Sequence, residues 1–284
     1  MKLAVASGKG GTGKSMVAAN LAYTLSRTEP VSLVDCDVEE PNLHLFFPAH
    51  GTTRDVTVPV PVIDESVCDR CGKCGEFCQY GAITVLPNRV LFFAELCHSC
   101  GGCMLVCPKK AIHEEPKQIG TVSFSLLFPF LDLFTGTLGT GSPHAVPVIR
   151  EAKKQAAAGE SIMIIDTAPG TSCPVVEALE GCDACILVTE STPFGLHDLQ
   201  LAVDVATRLG IPAGIIINRS DGKDEETLRF CTDHDLDVMM TIPFSREIAA
   251  IQSRGDLLSR ARPEWQKDFM ALFLKCRALA GEEP

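Results

Sequence analysis

The 284-residue sequence predicts an α/β fold: a doubly wound, mainly parallel sheet interrupted by one small α+β insert. Three observations predict it. Short apolar runs alternate with helical stretches, a glycine-rich loop joins the first run to the first helix, and one cysteine-crowded region breaks the rhythm.

Six runs read as strands: KLAVAS (2–7), VSLVD (31–35), SIMIID (161–166), ACILVT (184–189), AGIIIN (213–218) and DVMMTI (237–242). They are near-continuous rather than alternating, as strands covered on both faces should be. Between them SMVAANLAYTLSR (15–27), SPHAVPVIREAKKQAAA (142–158) and HDLQLAVDVATRLG (197–210) read as helices, with Ser142-Pro143 as a cap and first-turn pair and Gly159 and Gly210 as stops. From 63 to 117 the alternation ceases, flanked by VPVPV (58–62) and EEPK (114–117). The division expected is a discontinuous core, 1–62 and 118–284, around an insert at 63–117.

Composition narrows the function. Hydrophobic residues at 46% against 21% charged suit a globular chain. A net charge of −11 without any run of Lys and Arg argues against nucleic acid and anionic lipid. The start, MKLAVASGKGG, has too short an apolar stretch for a secretory signal or a span. FSLLFPFLDLF (124–134) is likewise too short to cross a bilayer and is broken by Pro129 and Asp132. Fourteen cysteines without an export signal point to thiolate–metal chemistry in a reducing cytoplasm.

GKGGTGKS (8–15) satisfies G-x-x-x-x-G-K-[ST] and lies between a strand and a helix. Backbone N–H groups around Gly8, Gly10, Gly11, Thr12 and Gly13 can converge on phosphate oxygens, Lys14 can neutralise the β/γ-phosphates, and Ser15 can hold Mg²⁺. ATP or ADP with Mg²⁺ is the implied ligand. VDCDVEEPNL (34–43) and IIDTAPG (164–170) put Asp35, Asp37 and Asp166 at the carboxyl ends of strands, where an open α/β sheet binds its ligand; carboxylates there can hold Mg²⁺ or orient water. Aspartates that merely cap the next helix are the competing reading, weightiest for Asp35.

With its second lysine, Lys9, KGGTGKS resembles the deviant phosphate loop of the MinD/ParA/Mrp and nitrogenase iron protein class of ATPases. The resemblance covers nearly everything outside the insert and implies ATP-dependent homodimers. It implies that Lys9 reaches nucleotide across the dimer interface, that Asp37 positions the attacking water in switch I, and that Asp166 serves Mg²⁺ in switch II. INRS (217–220) and IPFSREI (242–248) resemble the base-contacting loops, placing Asn218 and Pro243 beside adenine. Ala168 stands where the class often has proline.

The insert contains its own repeat. CDRCGKCGEFCQYGAI (68–83) aligns without gaps on CHSCGGCMLVCPKKAI (97–112), every cysteine in register. Both halves are C-x₂-C-x₂-C-x₃-C, the bacterial ferredoxin arrangement for two [4Fe-4S] clusters, in which the fourth cysteine ligates the other cluster. The expected sets are Cys68, Cys71, Cys74 and Cys107 for one, and Cys97, Cys100, Cys103 and Cys78 for the other. Gln79 replaces the usual proline after the fourth cysteine of the first half. Structural zinc is the alternative, but it normally draws two cysteines from each of two knuckles and leaves the other cysteines here without a role. Together with the core, the chain resembles MinD-superfamily ATPases with an inserted ferredoxin domain, as DCDVEEPNLHL, TSCPVVEAL and TESTPFGLHDL also suggest.

Elsewhere packing is the favoured reading: Cys182, Cys185 and Cys36 as core thiols, Cys173 as structural, and EWQKDFMALFLKCRAL (264–279) as a helix docked on the core rather than on a membrane. Three functions remain. The first is an ATPase coupled to a two-cluster electron-transfer module through switch I; the second is an iron–sulfur or metallocofactor assembly carrier; the third is a MinD-like positioning switch. Each needs a protein partner, redox or metallocofactor-bearing in the first two.

Overall fold

All six apolar runs are strands, and their side chains alternate between two hydrophobic layers. Leu3 and Val5 face one layer, Ala4 and Ala6 the other; Leu33 and Ile164 are likewise opposed to Val34 and Ile165. The computed structural model describes residues 1–48, 51–159 and 161–282. In chain order the elements are β1 (Lys2–Ala6), α1 (Lys14–Leu25), β2 (Val31–Cys36), β3 (Thr52–Ile63), α2 (Lys73–Phe77), β4 (Ile83–Val85), β5 (Val90–Phe92), α3 (Gly102–Leu105), β6 (Ile112–Phe128) and β7 (Leu131–Leu138). There follow α4 (Ala145–Ala156), β8 (Ile162–Thr167), α5 (Cys173–Leu179), β9 (Ala184–Thr189), α6 (Pro193–Arg208), β10 (Ala213–Ser220), α7 (Glu225–Asp233), β11 (Val238–Pro243), α8 (Arg246–Ser253), α9 (Leu258–Ala261) and α10 (Trp265–Leu279).

Nine strands form one sheet in the order β11-β10-β9-β1-β8-β2-β7-β6-β3. Pairing is parallel from β11 to β7, whereas β6 runs antiparallel to both β7 and β3. Helices α4, α5 and α6 cover one face through Val148, Ile149, Ala178 and Leu199. Helices α1 and α10 cover the other, with Leu21, Phe269, Leu272 and Phe273 buried. The terminal helix therefore docks on the core as expected. No helix among the described residues is long and apolar enough to cross a membrane.

Three strands of the large sheet were not anticipated. The apolar segment 124–134 is the β6–β7 hairpin, turning at Pro129 and Phe130, and the proline-rich stretch before the insert is β3, an edge strand. The helix read from Ser142 begins at Ala145, with His144 as its N-cap; the Ser142 hydroxyl accepts from the His144 N–H at 3.3 Å. Gly210 is left-handed at φ 68° and stops α6 as expected, whereas α4 ends at Ala156, before Gly159 is reached.

Strand β6 runs unbroken from 112 to 128, so the cysteine unit proper is 64–111, and its base is part of the large sheet. The unit repeats internally at an offset of 29 residues, as Cys97 against Cys68. Ile63 pairs with Ile112 as Phe92 pairs with Ile83. Asp64 N–H donates to the Ala111 carbonyl and Phe93 N–H to the Ala82 carbonyl, both at 2.8 Å. Left-handed backbone recurs at Arg70 and Ser99, at Gly72 and Gly101, and at Gly81 and Lys110. The sequence repeat is thus a repeat of backbone conformation.

Candidate functional site

The glycine loop spans the gap between β1 and α1. Gly11 and Gly13 are left-handed, at φ 80° and 97°, and no side chain caps α1. Its first-turn N–H groups are left for an anion, and the helix dipole favours one there. Gly8 has no room for a side chain, which would strike the Asp198 backbone of α6. Lys14 is buried, with Nζ 3.3 Å from Asp37 Oδ2. The Thr12 hydroxyl is buried without a partner.

Asp35 and Asp166 sit directly opposite each other on β2 and β8, both fully buried. Asp35 is occupied: its carboxylate accepts from the backbone N–H groups of Asp37 (3.2 Å), Asn42 (2.9 Å) and Leu43 (3.0 Å), so it shapes the loop after β2. Neither oxygen of Asp166 completes a hydrogen bond of normal geometry, although Lys14 and the Ser15 hydroxyl are near enough to draw its pKa down. Burial pushes both carboxyls above the ordinary range, and for Asp35 the neighbouring Asp166 adds to the rise. Asp37 is also raised by burial, against the pull of Lys14. An orphaned buried carboxylate with the Ser15 hydroxyl close by fits a hydrated Mg²⁺, which would supply charge in place of the proton.

Asn218 and Pro243 line one cavity of 370 Å³ together with Arg219, Phe244, Ser245 and Ile248. The Asn218 amide donates to the Thr12 carbonyl at 2.7 Å, tying β10 to the phosphate loop. A second opening, of 440 Å³, separates Asp37, Val38 and Glu40 from Ala168 and Pro169. Lys9 Nζ lies 4.0 Å from one Glu190 oxygen; the other Glu190 oxygen accepts from Arg219 at 2.5 Å. Glu190 and Arg219 were not singled out from the sequence because their pairing joins the end of β9 to β10, 29 residues further on, with no local spacing to mark it.

The insert encloses two smaller cavities. One is lined by Cys68, Cys71, Cys74 and Cys107 with Ile63, Val85 and Ile112; the other by Cys78, Cys97, Cys100 and Cys103 with Phe77, Ile83 and Phe92. Each gathers three cysteines from one run and one from the other. Ser99 N–H donates to Cys97 Sγ at 3.4 Å and Ala111 N–H to Cys107 Sγ at 3.3 Å. Burial raises the Cys74 thiol and pushes Cys103 up to about 11, so in a site without a cation both favour the protonated form. Among the described residues, no three His, Cys, Asp or Glu side chains are placed to hold a single metal ion. All-thiol donors around an apolar space fit an iron–sulfur cluster better than zinc.

The second cavity lies against the core. Tyr80 stacks on His98 at 3.7 Å, His98 meets His144 edge-on at 6.1 Å, and the Cys97 backbone lies near enough to the His144 ring to oppose the lowering of its pKa by burial. Helix α4, which follows His144, is bolted to α5: Lys153 Nζ donates to the Glu177, Ala178 and Glu180 carbonyls at 2.6, 2.9 and 2.7 Å. Cys182, Cys185 and Cys36 are buried, as packing requires; Cys173 is exposed at the start of α5.

A sequence model described as the CobQ/CobB/MinD/ParA nucleotide binding domain matches residues 3–258. The chain belongs to this family. The MinD of Pyrococcus horikoshii OT3, solved with Mg-ADP, has the same fold, with a TM-score of 0.59 over 99% of this chain and 97% of that one at 20% identity. A protein of Methanocaldococcus jannaschii is 31% identical over 259 residues, 90% of each chain. An iron-sulfur cluster carrier protein of Methanococcus maripaludis is 27% identical over 223 residues, 76% of this chain and 59% of the carrier. As a member of the MinD/ParA family the chain is a P-loop nucleotide-binding protein.

Proposed function

We propose that this protein hydrolyses ATP and couples the nucleotide state of a dimerising core to electron transfer through two [4Fe-4S] clusters. The observation that carries the reading is that two four-cysteine cavities are built on β3 and β6, strands of the nucleotide-binding sheet itself. The clusters would be held by Cys68, Cys71, Cys74 and Cys107, and by Cys78, Cys97, Cys100 and Cys103; when bound they supply one-electron storage.

On the nucleotide side, the loop N–H groups and Lys14 bind the phosphates, so Lys14 must exchange Asp37 for phosphate oxygen. That exchange frees the Asp37 carboxylate to orient water. Ser15 and Asp166 hold Mg²⁺, Asn218 and Pro243 border the base, and Lys9 leaves Glu190 to reach a partner's nucleotide. Asp35 keeps the loop after β2 in shape rather than binding the metal.

Two contact chains support the coupling. Val38, next to Asp37, accepts at 2.8 Å from Leu138 N–H of β7, which pairs with β6. Switch II leads into α5, and α5 is fastened through Lys153 to α4 and so to His144 and Cys97. Either end can bias the other if these elements have two arrangements.

The test is anaerobic reconstitution followed by measurement of cluster potentials and oligomeric state with ATP, with ADP and without nucleotide. A nucleotide-dependent shift in potential is the expected result; identical potentials in all three states would refute the coupling. The similarity to an iron–sulfur cluster carrier favours a second reading, transfer of a cluster to an acceptor, and transfer to an apo-ferredoxin without change in potential would establish it instead.

A further inference from the structure

The two halves of the cysteine unit match in backbone, and one pair of equivalent side chains breaks the match. Position 70 is Arg and position 99 is Ser, both left-handed, at φ 57° and 52°. Arg70 is exposed, whereas the Ser99 hydroxyl is shut away from solvent and has no hydrogen-bond partner. Ser99 lines the cavity of Cys78, Cys97, Cys100 and Cys103, and its own N–H already points at Cys97 Sγ.

Buried hydroxyls without partners are rare, because the desolvated group loses its bond to water and gains nothing in return. The cavity that Ser99 lines is walled by Phe77, Ile83 and Phe92, by Gln79, Tyr80 and His98, and by the four cysteines, and none of these groups bonds the hydroxyl. A cluster in that cavity would bring sulfur acceptors to the hydroxyl. Hydrogen bonds to the sulfurs stabilise the more negatively charged, reduced state and so raise the potential.

We propose that the Ser99 hydroxyl donates a hydrogen bond to a sulfur of the cluster held by Cys78, Cys97, Cys100 and Cys103, and that this bond selectively eases reduction of that cluster. The proposal rests on the two-cluster reading above. Reduction adds one electron, delivered by the titrating reductant, and the hydroxyl keeps its proton; no covalent bond changes.

The test is a dithionite titration, followed by electron paramagnetic resonance, of the full-length protein reconstituted with iron and sulfide. Ser99→Ala is expected to move one reduction wave to more negative potential by about tenfold in its equilibrium, ~59 mV for one electron, and to leave the other in place. Ser99→Gly removes the hydroxyl while easing the left-handed backbone, so it gives the same answer if the alanine variant folds poorly. Arg70→Ala, at the equivalent position of the other half, should leave the Ser99-sensitive wave where it is. Clusters present but no wave displaced in either Ser99 variant, or both waves displaced together, overturns the proposal alone. A wild-type protein that takes up no iron and sulfide overturns it and the cluster reading together.

Discussion

Asp35 and Asp166 face each other across adjacent parallel strands, fully buried, yet only Asp35 has its oxygens engaged. The asymmetry separates them: Asp35 holds a loop, and Asp166 is the carboxylate proposed to receive a cation. It also has a pH signature. Both folded-state pKa values lie above the ordinary carboxylate value, so the native state holds more protons than the unfolded chain in the window above that value. Their contribution to stability is complete below the unfolded pKa and is lost as pH rises through the folded values. Without Mg²⁺ and nucleotide, the melting temperature should therefore fall as pH rises from mildly acidic to neutral. Asp166→Asn should flatten that slope, by roughly 1.4 kcal/mol for each pKa unit removed, and Mg²⁺ with ADP should flatten it in the wild type. Parallel melting curves for wild type and variant across pH would contradict this.

Replacing Lys14 by alanine removes the ammonium proposed to meet the phosphates and leaves Asp37 without its partner. Hydrolysis should drop by about 10²–10³-fold, the scale typical of losing one preorganised charge donor. Iron and sulfide content should be unchanged, since the cysteine cavities share no residue with the loop. Loss of clusters on purification would show that the two sites are not separable.

Cys107→Ser tests the exchange of ligands between halves. Cys107 lines the cavity of Cys68, Cys71 and Cys74, although it lies in the second run. The variant should keep about half of the iron, with the remaining signal that of the Cys97 half. Selective loss of the other cluster would reverse the assignment.

Lys153→Met should uncouple α4 from α5. Three hydrogen bonds from one ammonium are lost, at a cost of about 1–3 kcal/mol in denaturant unfolding. Hydrogen exchange near Tyr80 and His98 should cease to respond to nucleotide while hydrolysis persists. An undiminished response would leave Val38 and β7 as the route.

Much of this was legible in the sequence, for definite reasons. The six core strands are buried on both faces, and continuous apolar runs such as Ile162–Ile165 betray that burial. The phosphate loop and the cysteine runs are local, so spacing alone reports them. Strand β3 was hidden because Pro59 and Pro61 sit in it, and prolines are tolerated there only because it is an edge. Its inward residues Val56, Val58 and Val60 do alternate. The β6–β7 hairpin was concealed by an apolar turn, Pro129-Phe130, in place of the usual Asn-Gly. The task of Asp35 was half legible: a strand-end carboxylate reads either as a metal ligand or as a cap for the next helix, and the amides that decide for the second lie seven and eight positions along the chain.

Ile63 and Ile112 are neighbours in the β3–β6 ladder. Everything between them, residues 64–111, occupies the place of a hairpin turn, and its two ends lie about 5.5 Å apart, as paired residues of antiparallel strands do. A two-residue Asn-Gly link in its place should yield a folded, nucleotide-binding chain that takes up no iron, and a parent fold could have acquired the unit simply by lengthening one turn.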